Sequence, residues 1–152
     1  GSCVNAIRVP LWGMGVEFDE AVVKEIARRS DGFPFYLQLI AHHVFEEVAD
    51  EVDTLALRRG YERAMQVLER EIFIPRYMNM SDREVMIYLA INKQGPISFT
   101  QLLKKVSISK GSVASSLKRL KEKQMIRQNR KMYKVSDRLY GAFLEKQVKK
   151  ER

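Results

Sequence analysis

The sequence predicts a mainly α-helical protein in two modules, with short strands confined to the second. Three observations carry this. Apolar residues recur at i, i+3, i+4 spacing in successive stretches separated by Gly, Pro and Ser/Asp punctuation. Strand-like runs occur only near residues 96–99 and 125–135. Charge also divides the chain: Gly1–Met80 has 9 Lys/Arg against 13 Asp/Glu, a net of −4, whereas Ser81–Arg152 has 18 against 6, a net of +12. The expected modules are 1–78 and 79–152.

Taken in order, Gly1-Ser2 is set aside as a cleavage scar, and Val4–Val16, with Pro10, Gly13 and Gly15, reads as an extended entry. A first helix is expected from Asp19 to Arg29, with Val22, Val23, Ile26 and Ala27 inward; Ser30-Asp31-Gly32 closes it, Gly32 being able to turn left-handed. A second starts at Pro34 and runs to Val48, apolar over a broad arc. A third starts after Asp53 as N-cap and runs to Ile72, despite Gly60, with Pro75 ending it or bending the chain beyond; residues 74–80 read as a connector. Ser81-x-x-Glu84 has capping-box spacing and opens a helix to Asn92, before Gly95-Pro96 breaks the chain.

Pro96–Phe99 is then expected as a strand, Thr100–Val106 as a short helix, Ser107–Ser109 as a turn and Lys110–Lys123 as a longer helix with Val113, Leu117 and Leu120 inward. Met125–Gln128 and Met132–Val135 pair through Asn129-Arg130-Lys131, and Asp137 caps a last helix to Val148, leaving Lys149, Lys150 and Arg152 as a frayed tail. This order, and the stretch from Ser109 through Arg127, resembles the winged helix-turn-helix family from Ser81 to Gln147. The resemblance implies a winged helix-turn-helix with a small β-wing; with the helices before it, the expected fold class is mainly α, a helical (lid-like) subdomain plus this winged helix-turn-helix.

A helix of this kind fits the DNA major groove. At 100° per residue, Gly111, Ser112, Ser115, Lys118 and Arg119 lie opposite the apolar stripe. Ser109 is the candidate N-cap, where backbone amides favour phosphate, and Lys110 sits beside it. Arg127, Arg130 and Lys131 place cations on the wing for phosphates or a minor groove. These ten residues are the candidate DNA-binding set, with duplex DNA as partner. No Asn or Gln lies on the outer face, which argues against strong adenine readout.

In the front module, Asp31-Gly32-Phe33-Pro34-Phe35-Tyr36-Leu37 and the helix before it resemble the helical subdomain that follows the nucleotide-binding core in archaeal ATPases of the AAA+/STAND superfamily. The resemblance spans Val9 to Glu71. It implies that Gly32 and Pro34, as the Gly-x-Pro motif, lie near a bound adenine, and that a winged helix comes next in the chain. It also implies a missing ATPase core as partner and ATP or ADP as the parent's cofactor. Plain helix punctuation explains the same Gly and Pro equally well. Phe35 and Tyr36 occupy the stretch where replication-initiator relatives carry an arginine sensor. The chain has no Gly-x-x-x-x-Gly-Lys-Ser/Thr loop, so ATP hydrolysis by it alone, and a cofactor of its own, are not expected.

Other constellations point to structure. The single cysteine, Cys3, supports neither a disulfide framework nor a cysteine metal site and fits a reducing, cytoplasmic setting. His42 and His43 are adjacent and point about 100° apart, the wrong spacing for shared ligation. The acidic run Glu46, Glu47, Asp50, Glu51 and Asp53 reads as a solvated helix end; Trp12, Tyr77 and Tyr133 read as packing residues, with base stacking as the alternative. No apolar run approaches the ~20 residues of a membrane span, so no membrane partner is expected. The lack of an initiator Met points to a piece of a longer protein. Three functions stay open: a DNA-binding module of an ATPase, an autoregulatory module packing on the ATPase core, and a stand-alone transcription regulator, a homo-oligomer through its front helices.

Overall fold

The computed structural model describes residues 20–47 and 54–151. The chain divides between Ile72 and Phe73 into two compact units. The expected entry segment, Cys3, Trp12, the Asp53 cap and the acids Asp50 and Glu51 lie outside the described residues.

The first unit is a three-helix cluster: α1 (Glu20–Arg29), α2 (Pro34–Glu46) and α3 (Thr54–Leu68). Its core is the stripe that periodicity marks, with Val23, Ile26, Leu37, Ile40, Ala41, Val44, Leu57 and Ala64 all buried. Each large aliphatic side chain in it contributes about 1.5–3 kcal/mol by leaving water. Ser30 ends α1, buried, with its hydroxyl donating to the Ala27 carbonyl. Asp31 (φ 54°) and Gly32 (φ 78°) then make the left-handed reversal. Pro34 occupies the first turn of α2, where its missing N–H costs nothing. Gly60 is a packing residue: a Cβ there would collide with the Val44 backbone, so the glycine is what lets α2 and α3 close. Arg28 and Arg29 both donate to the Glu25 carboxylate, holding its pKa down to about 2.

The expected connector at 74–80 is largely helical. After α3 the backbone widens into a π-helical turn, Glu69–Phe73, and continues as α4 (Ile74–Met78). Pro75 does not stop the chain, because it falls in the first turn of α4, where no intrahelical N–H is required. Phe73 is fully buried; its ring lies 5.4 Å from both Tyr140 and Phe143, which draws this segment into the second unit.

The second unit continues with α5 (Asp82–Gln94), β1 (Ile97–Ser98), α6 (Phe99–Lys105), α7 (Lys110–Glu122), β2 (Ile126–Asn129), β3 (Met132–Val135) and α8 (Arg138–Lys150). The strands form an antiparallel sheet in the order β1-β3-β2, with Ile97 opposite Tyr133 and Gln128 opposite Tyr133 on its other side. Ile87, Tyr88, Ile91, Leu102, Val113, Leu117, Leu120, Tyr140 and Leu144 form the core. Tyr88 donates to the Asp137 carbonyl across 3.3 Å, and Asp137 caps α8 through the Tyr140 amide. A Cβ at Gly141 would collide with the Asn92 side chain, which would have to shift. Lys149 and Lys150, expected to fray, belong to α8.

The C-terminus of α7 closes with a Schellman turn: the Met125 amide donates to the Leu120 carbonyl and the Gln124 amide to that of Lys121. Such a turn needs a left-handed residue, and here it is Gln124 at φ 60°, where an L side chain costs about 1–2 kcal/mol. Replacing Gln124 with Gly is therefore expected to stabilise the protein by up to about 1 kcal/mol and raise Tm by about 2–4 °C. Gly60→Ala is expected to lower Tm despite alanine's higher helix propensity. Thermal melts followed by circular dichroism read both; a higher Tm for Gly60→Ala would refute the close-packing account.

Candidate nucleic-acid interface

The site is built around α7. Ser109 is its N-cap, accepting from the Ser112 amide at 3.1 Å. Val113, Ser116, Leu117 and Leu120 are buried against the unit's core, which leaves the other flanks outward. Lys110, Gly111, Ser115 and Lys118 are exposed. A Cβ on Gly111 would meet nothing, so no internal packing calls for glycine there. The bare backbone beside the N-cap is open to close approach from outside.

The flank toward α5 departs from the helical-wheel expectation. Ser112 is half-buried, and its hydroxyl accepts from Arg83 at 3.0 Å, so a cation that the sequence pattern did not single out stands beside the helix start. Arg119 is directed at Glu84, with 3.9 Å between Nε and Oε1. Glu84 is a buried carboxylate, only 4% exposed. It closes the capping box with Ser81 and accepts from Lys123 at 2.8 Å; the same ammonium donates to the Asn79 carbonyl. Burial pushes the Glu84 pKa up, but the bonds from Lys123 and from Ser81 outweigh it, and the carboxyl titrates below its ordinary 4.5. Arg119 and Lys123 thus orient α7 on α5, and Arg119 is less available to a ligand than Lys118.

The wing extends from the Schellman turn. Arg127 pairs across the ladder with Lys134, two exposed cations directly opposite each other. Arg130 and Lys131 form the tip, Arg130 at φ 59°. Asn129, expected in the turn, ends β2 instead. Lys121 spans from α7 to the wing, donating to Gln128 at 2.7 Å. Lys110, Lys118, Arg127, Arg130, Lys131 and Lys134 make no ion pair or side-chain hydrogen bond among the described residues. Like charges opposed across a ladder are destabilising.

In the first unit, Gly32 and Pro34 are exposed at the α1–α2 reversal, beside Phe35, which is 57% exposed. His42 and His43 both contact Glu46, at 3.0 and 3.4 Å. Among the described residues no three His, Cys, Asp or Glu side chains gather as a metal site, and no helix is long and apolar enough to cross a membrane. Tyr77 donates to Glu151 at 2.5 Å.

Helix, short strand, helix, turn, helix and two-stranded wing, in this sheet order, define a winged helix domain. Residues 71–146, half of the chain, match the family model described as "Probable winged helix domain", and the chain belongs to that family. The matched region begins two residues before Phe73. Among solved structures, the Walker-type ATPase PABY2304 of Pyrococcus abyssi is similar in fold, with TM-score 0.74 and 18% identity over 94% of this chain. The chain spans 41% of that protein's length. A RuvB variant of Thermotoga maritima shows a looser likeness, with TM-score 0.40 and 17% identity over 93% of this chain and 47% of its own. No curated protein matches the chain.

Because the folded-state pKa of Glu84 is depressed, the stability it contributes is full above about 4.5 and is lost as pH falls through the folded value. Glu84→Gln is expected to cost about 1–3 kcal/mol at neutral pH and to flatten the loss of stability below that pH. Urea melts of the two proteins across the acid range test this. Parallel pH profiles would show that Glu84 does not carry the effect.

Proposed function

We propose that the second unit is a duplex-DNA-binding module and that the chain is the C-terminal part of an ATP-binding ATPase. The observation that carries the first claim is the set of six uncompensated cations on α7 and the wing, flanking a helix start with open backbone. Such groups bind phosphates and release counterions. Ser109 and the first amides of α7 add a helix N-terminus. With phosphate contacts dominating, binding is expected to depend more on duplex shape than on base sequence.

Support for the second claim is the fold likeness to a Walker-type ATPase, joined to the Gly32-Phe33-Pro34 reversal. In this reading Gly32 and Pro34 face the parent's nucleotide, and exposed Phe35 packs on the core supplied elsewhere in the parent. The same exposed Phe35 serves a second reading, in which its contact with the ATPase core restrains that core and the cations are incidental.

Fluorescence anisotropy with a random-sequence duplex across a salt series tests the DNA reading. Log affinity is expected to fall linearly with log salt by about 0.9 per neutralised phosphate. Replacing Lys118 and Lys131 together with Ala should lower that slope by about 2. Arg130→Gly should lower it by about 1 while leaving the fold at least as stable, since Gly relieves the left-handed backbone. A salt-independent affinity, or none at low salt, would overturn the reading in favour of docking on the core.

A further inference from the structure

The flank of α7 that faces the wing carries a groove that shares Lys118 with the proposed duplex face. Phe99, Ala114, Leu117, Lys118, Lys121, Glu122 and Tyr133 line a groove of about 370 Å³ between α7, the start of α6 and β3. Tyr133 and Phe99 are half-buried, so each ring keeps surface toward solvent. Ala114, small and exposed, leaves the helix side of the groove open. Lys121 is held by Gln128 across from Tyr133, which fixes one wall. Lys118 has no partner among the described residues, and Glu122 supplies an exposed acceptor.

Two aromatic rings, two lysines and a carboxylate in one groove match a particular ligand chemistry. Aromatic side chains stack on unpaired bases, and lysines hold the adjoining phosphates. A carboxylate accepts from an exocyclic amino group, as Glu and Asp do from cytosine. A stacked pair inside a duplex presents only its edges and cannot enter such a groove. The volume lies at the lower end of the range for small-ligand pockets.

We propose that this groove receives an unpaired base, so that the module prefers DNA with a single-stranded segment next to duplex. The proposal rests on the DNA-binding reading and names the form of DNA the same face selects. Ala114→Leu is the informative variant: it fills the groove from an exposed helical position and leaves the core untouched. Tyr133→Trp, made together with Trp12→Phe so that position 133 carries the sole tryptophan, keeps an aromatic ring and makes it a fluorescent reporter.

Anisotropy compares a blunt duplex with the same duplex carrying a short oligo-dC overhang. The overhang is expected to raise affinity about tenfold in the native chain. Ala114→Leu should abolish that gain, so that the overhang and blunt duplexes bind this variant with affinities within about twofold of each other. Emission from Trp at position 133 should be quenched by the overhang and not by the blunt duplex. Equal affinity for both DNAs, or a gain that survives Ala114→Leu without quenching, overturns the groove proposal while the duplex reading stands. Failure of the native chain to bind any of these DNAs overturns both.

Discussion

The buried carboxylate of Glu84 is the contact on which the second unit's exposed surface depends. One oxygen closes the capping box at the start of α5; the other receives the Lys123 ammonium from the far end of α7. A carboxylate this deeply buried is costly unless every lone pair finds a donor. Ser81 and Lys123 provide donors, and the Arg119 charge lies 3.9 Å away. Two helices far apart in sequence are thereby joined by a charge that tolerates few alternative geometries. That joint adds to the buried stripe of Val113, Leu117 and Leu120, which decides which side chains of α7 face outward.

This places the cations of α7 in two classes. Arg119 and Lys123 are engaged with Glu84 and support the helix, whereas Lys110 and Lys118 have nothing inside the described structure to neutralise them. The wing repeats the second class, with Arg127 opposite Lys134 and a left-handed Arg130 at its tip. Opposed like charges and a strained non-glycine turn both oppose folding, and neither is compensated locally. Such features are expected at a working surface. The left-handed Gln124 differs: it sits in a Schellman turn whose carbonyls are satisfied, and its backbone conformation sets the direction in which the wing leaves α7.

Much of the architecture was legible in the residues. The Ser81-x-x-Glu84 box, Ser109 and Asp137 as caps, Pro34 as a helix start and the two strands of the wing all come from local chemistry, and the structure has each. Residues 74–80 misled because Pro75 normally breaks a helix; a preceding π turn places it where its missing N–H is harmless. Gly60 looked like a weakness in α3 because propensity is a local quantity, and the Val44 backbone against it is not. On α7 the wheel assigned Ser112 and Arg119 to the outer face. It could not see Arg83 and Glu84, which arrive from α5.

The sequence by itself determined the helices, the wing and the concentration of positive charge in the second half, since caps, periodicity and charge reside in neighbouring residues. Tertiary structure alone decided which cations stay uncompensated, which glycines are packing contacts, where Phe73 assigns the boundary between units, and that Phe99, Ala114 and Tyr133 share a groove. Those depend on residues brought together from α5, α6, α7 and β3. Their proximity is set by the packing of the whole unit, and no local window of the chain contains it.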